Sequence, residues 1–374
     1  MKKQFLAVLL VIVLVFGLTG CGNITVNQKQ AGLKGSDLIP LILVVPDEIG
    51  GKDTKSKQKA LLAHWNLKEG KLSLQEEPLF TEEKKSNEDF PRLVWDGGSK
   101  LFACSFGTRE TSGLAEGKVE GFSIQNVRVD YNPISAAVQG SSRQGELLLA
   151  YSKKQFSNSS AAEGIIIEIH KGNKVEKSEL RLPDFVSSGE VIPLLISGTP
   201  NHFTVLALLE NRIVAAEVQG KQISWKKVEG TNGGIVAGAG ANLAKSGDKI
   251  YTTEPTLSAI NLKNQNLKFE DFKAGTSLLA GLTQNMEKAR AKYDEVYPGR
   301  QFGTYDDVLL MAFNLPDEHW IWALRDERLI GQLYFNNETK ELQISKGNQI
   351  MEQVGFASPP SWFLLPTDGY GQYK

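Results

Sequence analysis

From Leu61 onward the chain keeps returning to one unit: a short β-like run, a turn of polar residues with Gly or Asn, and a second β-like run. Six stretches show it: LLAHWNLKEGKLSL from Leu61, VEGFSIQNVRV from Val119, IIIEIHKGNKVEKSEL from Ile165, IVAAEVQGKQISW from Ile213, LSAINLKNQNLKF from Leu257 and LIGQLYFNNETKELQI from Leu329. Each reads as a hairpin. Three of the intervals between them are about 46 residues, and a fixed period of that size marks an array of supersecondary units. The two longer intervals have visible causes. One contains the charged run Thr81 to Phe90, and the other the stretch Thr276 to Tyr297.

Further β-like runs lie upstream of each hairpin: Leu38 to Val45, Leu93 to Trp95 with Leu101 to Phe106, Glu146 to Tyr151, Val191 to Ile196 with His202 to Leu208, Lys249 to Thr252, and Val308 to Phe313 with Trp320 to Leu324. Four strands per unit of about 46 residues is the pattern of a β-propeller blade. The expectation is therefore an all-β fold, a propeller of six blades, with seven as the alternative if one has been missed between Lys273 and Gly303. The unit before Phe80 is one strand short. Trp362 to Leu365 belongs to no unit, so pairing it with the first unit would close the ring and remove the open sheet edges. Within residues 276–297, Leu278, Leu282, Met286, Ala289, Tyr293 and Val296 recur in steps of three and four, so the spacing predicts one helical insertion. Gly299, after Pro298, ends it. Docking on the rim of the ring and serving as a lid over one mouth are both open to such a helix.

The units carry no recurring family signature. Val94-Trp95-Asp96-Gly97-Gly98 is superficially similar to the WD dipeptide and to the kelch double glycine, but it occurs once. The hairpins from Ile213 and Leu257, with Trp225 and Phe269, are similar to those of quinoprotein-like propellers. That resemblance implies the fold and no cofactor.

The N-terminus constrains location. Lys2 and Lys3 precede the apolar run Phe5 to Leu18, which is shorter than the roughly 20 residues needed to span a bilayer as a helix. The run leads into Leu18-Thr19-Gly20-Cys21. This arrangement resembles the signal peptide and lipobox of bacterial lipoproteins. The resemblance implies cleavage after Gly20 and a diacylglyceryl group on the Cys21 thiol, and two acyl chains anchor stably where one does not. The expected organisation is a removed leader over residues 1–20, a lipidated N-terminus and flexible tether over 21–35, and the propeller over 36–374. The expected location is the extracytoplasmic face of the bacterial cell membrane. A monoderm surface and a periplasmic one both fit.

The chain has 42 basic and 43 acidic residues, and no segment collects the basic ones into a stripe, so nucleic acid is not an expected partner. With Cys21 lipidated, Cys104 has no second cysteine to pair with, which excludes a disulfide framework. Cys104 lies in the apolar run Leu101 to Phe106 and reads as a buried thiol. Sequons occur at Asn23, Asn158 and Asn337, but a bacterial leader makes them chance matches.

Catalytic signatures do not emerge. His64, His170, His202 and His319 are scattered one to a unit without metal-ligand spacing, so neither a metal nor another cofactor is expected. Gly233 to Gly240 lacks the Lys-Ser/Thr of a phosphate loop and reads as a turn followed by a small-residue inner strand. Asp306-Asp307 and Asp317-Glu318 are the candidate carboxylate pairs, since propeller glycosidases use two acids, but the repeated box of sialidases is absent. Cys21, as the lipidation site, is the one functional residue the sequence names. Two function classes stand: a binding or scaffold protein that takes an envelope protein, peptide or glycan, and an envelope hydrolase or lyase acting on polysaccharide. The lack of a convergent catalytic constellation favours the first.

Overall fold

The computed structural model describes residues 37–48, 56–84, 91–106, 119–129, 139–152, 164–185, 191–209, 212–229, 243–252, 258–271, 299–305, 308–314, 318–325, 328–346, 349–355 and 362–364. The strands over these residues form six sheets arranged as a six-bladed β-propeller. Blade one holds β1 (Leu38–Glu48), β2 (Ser56–Asn66), β3 (Lys71–Leu74) and β4 (Phe80–Lys84). Blade two holds β5 (Arg92–Trp95), β6 (Lys100–Phe106) and β7 (Ser123–Val129), and blade three β8 (Gln139–Arg143), β9 (Glu146–Ser152), β10 (Ile165–Lys171) and β11 (Lys174–Leu180). Blade four runs through β12 (Val191–Thr199), β13 (His202–Leu209), β14 (Arg212–Gln219) and β15 (Gln222–Glu229). Blade five holds β16 (Leu243–Ser246), β17 (Lys249–Thr252) and β18 (Ser258–Asn261); β19 (Leu267–Lys268) pairs back onto β15, and β20 (Glu270–Asp271) onto β18. Blade six holds β21 (Gly299–Tyr305), β22 (Val308–Asn314), β23 (Glu318–Arg325), β24 (Arg328–Asn336), β25 (Glu341–Lys346) and β26 (Gln349–Gly355).

Each sheet buries both faces, and this is why strands such as LIPLILVV read as unbroken apolar runs. Side chains alternate across a strand. Along β1, Ile42 and Val44 therefore pack toward Trp95 and Leu101 of blade two, while Leu41 and Leu43 pack toward Leu310, Ile321 and Phe335 of blade six. The remaining interfaces follow in sequence. Phe102 and Cys104 meet Leu147 and Leu149, Leu148 and Ile167 meet Val205 and Val214, Leu206 and Ile213 meet Ile250 and Ile260, and Tyr251 meets Met311 and Trp322. Six apolar interfaces joining six sheets cyclically make a closed ring. Full burial of each large apolar side chain contributes roughly 1.5–3 kcal/mol.

The ring is also closed through the backbone. β27 (Trp362–Leu364) pairs antiparallel with β1, Leu364 opposite Ile42 and Trp362 opposite Val44, and completes the first blade as the missing strand there and the unassigned run Trp362 to Leu365 predicted. The structure differs from the sequence expectation elsewhere. The run from Val119 is not a hairpin: it turns at Val119–Phe122, and β7 then lies parallel to β6. Part of the charged run is strand β4, paired with the first half of β2 while β3 takes the second half. The predicted helix over 276–297, Gly233 to Gly240, the tether and Cys21 lie outside the described residues.

Strand directions give the ring two unlike ends. At one, hairpins close in a few residues, with Gly70, Gly97, Gly145, Gly172, Gly220 and Gly247 in left-handed conformations that only glycine adopts without cost. At the opposite end β1, β7, β9, β15, β17 and β20 finish, and the strand that follows each of them begins several residues or more further along the chain. β1 begins at the tight-turn end.

Candidate functional site

The tight-turn end is fastened blade to blade. Lys100 Nζ donates to the Gly145 carbonyl at 3.1 Å, Gln125 Nε2 to the Gly172 carbonyl at 3.2 Å, and Arg325 Nη2 pairs with Asp37 at 3.0 Å, tying blade six to the start of β1. The Val94–Gly98 motif also belongs to this end. Asp96 Oδ1 accepts from the backbone N–H of Gly98 and Lys100, and Trp95 Nε1 donates to the Gly98 carbonyl, so the motif is a turn lock. Burial pushes the Asp96 carboxyl upward against those bonds.

At the opposite end, the first residues of β23 meet the last of β24. Their register sets Glu318 opposite Asn336 and Trp320 opposite Tyr334, and the alternation along each strand turns all four toward blade five. Trp320 Nε1 donates to Glu318 Oε2 at 3.2 Å, and the Tyr334 hydroxyl donates to Glu318 Oε1 at 3.1 Å. Asn336 Nδ2 donates to the Tyr334 oxygen at 3.1 Å, and its Oδ1 accepts from the N–H groups of Glu338 and Thr339, which fixes the amide on the turn. The Trp320 and Tyr334 rings lie 4.3 Å apart at 45°, with Trp322 edge-on behind at 6.2 Å. Trp322 is buried, whereas Trp320, Tyr334, Glu318 and Asn336 are partly exposed. Burial raises the Tyr334 phenol, as does the neighbouring Glu318 carboxylate, so the hydroxyl stays protonated and serves as the donor.

This exposure has a simple origin. The strands of blade five are four residues long or shorter, while those of blade six reach nine. Among the described residues, blade five covers the inner part of that face with Ala244, Tyr251 and Ala259.

A second polar cluster is enclosed in blade three. Glu168 Oε1 accepts from the Tyr151 hydroxyl at 2.5 Å and from Lys177 Nζ at 2.6 Å, and Oε2 lies 3.0 Å from His170 Nε2. Burial opposes its charge, but the His170, Lys177 and Tyr151 donors outweigh it and hold the carboxyl at about 2. With Glu168 1% exposed and its oxygens taken up within the blade, this is an internal brace.

The sequence-singled residues fall in separate places. His319 is buried and His64 half-buried, and burial lowers both, His319 to about 4 against a bond from Asn337. His202 sits on blade four beside Gln219, and Cys104 is enclosed between blades two and three. Among the described residues no three His, Cys, Asp or Glu side chains form a metal-binding group. Of the two carboxylate pairs, only Glu318 is among the described residues; Asp306, Asp307 and Asp317 are not. The sequence therefore pointed to Glu318 as an acid, and missed Trp320, Tyr334 and Asn336 as its neighbours.

No family model matches the chain, and no curated protein matches it. Similar solved structures include apo AztD from Citrobacter koseri, at 10% identity and a TM-score of 0.34, covering 89% of this chain and 99% of that one. A prolyl endopeptidase is similar at 8% identity and a TM-score of 0.38, covering 87% of this chain and 50% of that one. The WD40 domain of SCAP from fission yeast is similar at 10% identity and 0.30, covering 84% and 70%. The six-blade assignment stands on the strand pairing and the closed cycle of interfaces described above.

Proposed function

We propose that the chain is a lipid-anchored binding protein of the bacterial cell envelope, held by Cys21 on the extracytoplasmic face and presenting the long-connection end of its propeller to a ligand. The observation that carries this reading is the separation of the two ends. β1 starts beside the Asp37–Arg325 pair at the tight-turn end, so the tether from Cys21 roots there. Its roughly 14 residues reach about 50 Å when extended. The partly exposed aromatic and polar cluster of blade six lies at the other end. Glu318 is engaged there by two neutral donors in a fixed array, an arrangement suited to recognition.

Detergent phase separation of native membranes tests the anchor. The full chain should enter the detergent phase, and Cys21→Ala should be uncleaved or recovered in the aqueous phase. Recovery of the unaltered chain wholly in the aqueous phase would overturn the anchoring.

A further inference from the structure

We infer that Glu318, Trp320, Tyr334 and Asn336 form a saccharide subsite for a hexopyranose unit of a glycan. The inference rests on the binding-protein reading and narrows its ligand. A pyranose ring offers a patch of C–H groups on its faces and hydroxyls around its rim. Recognition therefore needs an aromatic face for the first and rigid hydrogen-bonding groups in the plane beside it for the second. Blade six supplies both at one place. Trp320 and Tyr334 pack against each other with centroids 4.3 Å apart at 45°, each ring partly exposed, and the buried Trp322 stands behind. Beside it stand a carboxylate and an amide already held in position by Trp320, Tyr334 and the Asn336 turn.

Preorganisation matters here because ordering a loose side chain on binding costs affinity. All four groups are fixed before a ligand arrives. The carboxylate and the amide are groups that can accept from sugar hydroxyls. The short strands of blade five leave the outer part of this face open among the described residues.

The test uses the full chain in detergent, titrated with cellohexaose, hexa-N-acetylchitohexaose and choline, and read by tryptophan fluorescence and calorimetry. At least one of the two neutral oligosaccharides should bind. Trp320→Ala should weaken binding about tenfold, the scale of one aromatic contact with its buried area. Trp320→Phe should restore part of it, and Tyr334→Phe, which keeps the ring but releases Glu318 and Asn336, should weaken binding less than Trp320→Ala. Circular dichroism establishes that each variant is folded. Saccharide binding that is unchanged in Trp320→Ala would overturn the subsite while leaving a binding protein in place. Failure of both neutral probes to bind, or binding of choline in their stead, would overturn the ligand class. Neither result bears on the anchor, which phase separation tests separately.

Discussion

The two ends of the ring are built from the same six blades and differ in what their residues are spent on. At the tight-turn end, glycines in left-handed conformations let each hairpin close, and Lys100, Gln125 and Arg325 reach across to neighbouring blades. At the other end, polar and aromatic side chains bond to one another within blade six and remain partly open to solvent. The contrast teaches that polar contacts in a propeller do different things according to direction. Those that cross between blades at the tight-turn end hold the ring, those of blade six, confined to one blade and partly exposed, shape a surface, and the enclosed Glu168 cluster braces blade three from within.

The largest effect should come from opening the ring. Truncation after Pro359 removes β27 and leaves the edge of β1 unpaired at Ile42–Val44, so it should cost about 3 kcal/mol or more, from lost strand hydrogen bonds and disrupted neighbouring interfaces. Chemical denaturation measures this. Hydrogen exchange should then show lost protection at Ile42–Val44, and a full-length midpoint in the truncated protein would sink the closure.

Acid should act next, and through His319. Its folded value of about 4 lies below the 6.5 of a free imidazole, so its contribution is present above pH 6.5 and is lost as pH falls toward 4, when the unfolded chain takes the proton first. That difference corresponds to about 3 kcal/mol. His64 acts in the same direction. His319→Gln should therefore flatten stability between pH 6.5 and 4 relative to the native chain. Glu168, held at about 2, contributes a separate loss that begins only below about pH 4.5. An unaltered slope in His319→Gln would contradict the burial account.

Gly198 is a smaller test at the tight-turn end. Its φ is 141°, and an added Cβ would collide with the His202 carbonyl and with Phe203, so Gly198→Ala should cost about 1–3 kcal/mol by thermal unfolding. Lys100→Ala, losing one interblade bond and its place over the Phe102 ring, should cost about 1 kcal/mol. An unchanged midpoint in Lys100→Ala would mean that the crossing contacts do not hold the ring.

The sequence disclosed the blades best where strands bury both faces, because β1, β9, β13 and β22 are then continuous apolar runs. It missed β8 (Gln139–Arg143) and β21 (Gly299–Tyr305), which contribute the innermost strands of their sheets. Ser141 and Ser142 are fully buried there despite being polar, so hydrophobic pattern does not reveal them. The run after Val119 showed a strand but not its partner's direction, since β propensity is blind to parallel or antiparallel pairing. The site was half legible. Glu318, Trp320 and Tyr334, Asn336 alternate along their own strands, but only the β23–β24 register brings the two pairs together.

The most direct measurement sets one variant from each end side by side. Lys100→Ala and Trp320→Ala are titrated with the neutral oligosaccharide that binds the native chain, and their unfolding midpoints are recorded on the same samples. The account predicts native affinity with a lowered midpoint for Lys100→Ala, and affinity reduced about tenfold for Trp320→Ala. Equal affinities in the two variants would contradict the division of the ring into a fastening end and a presenting end.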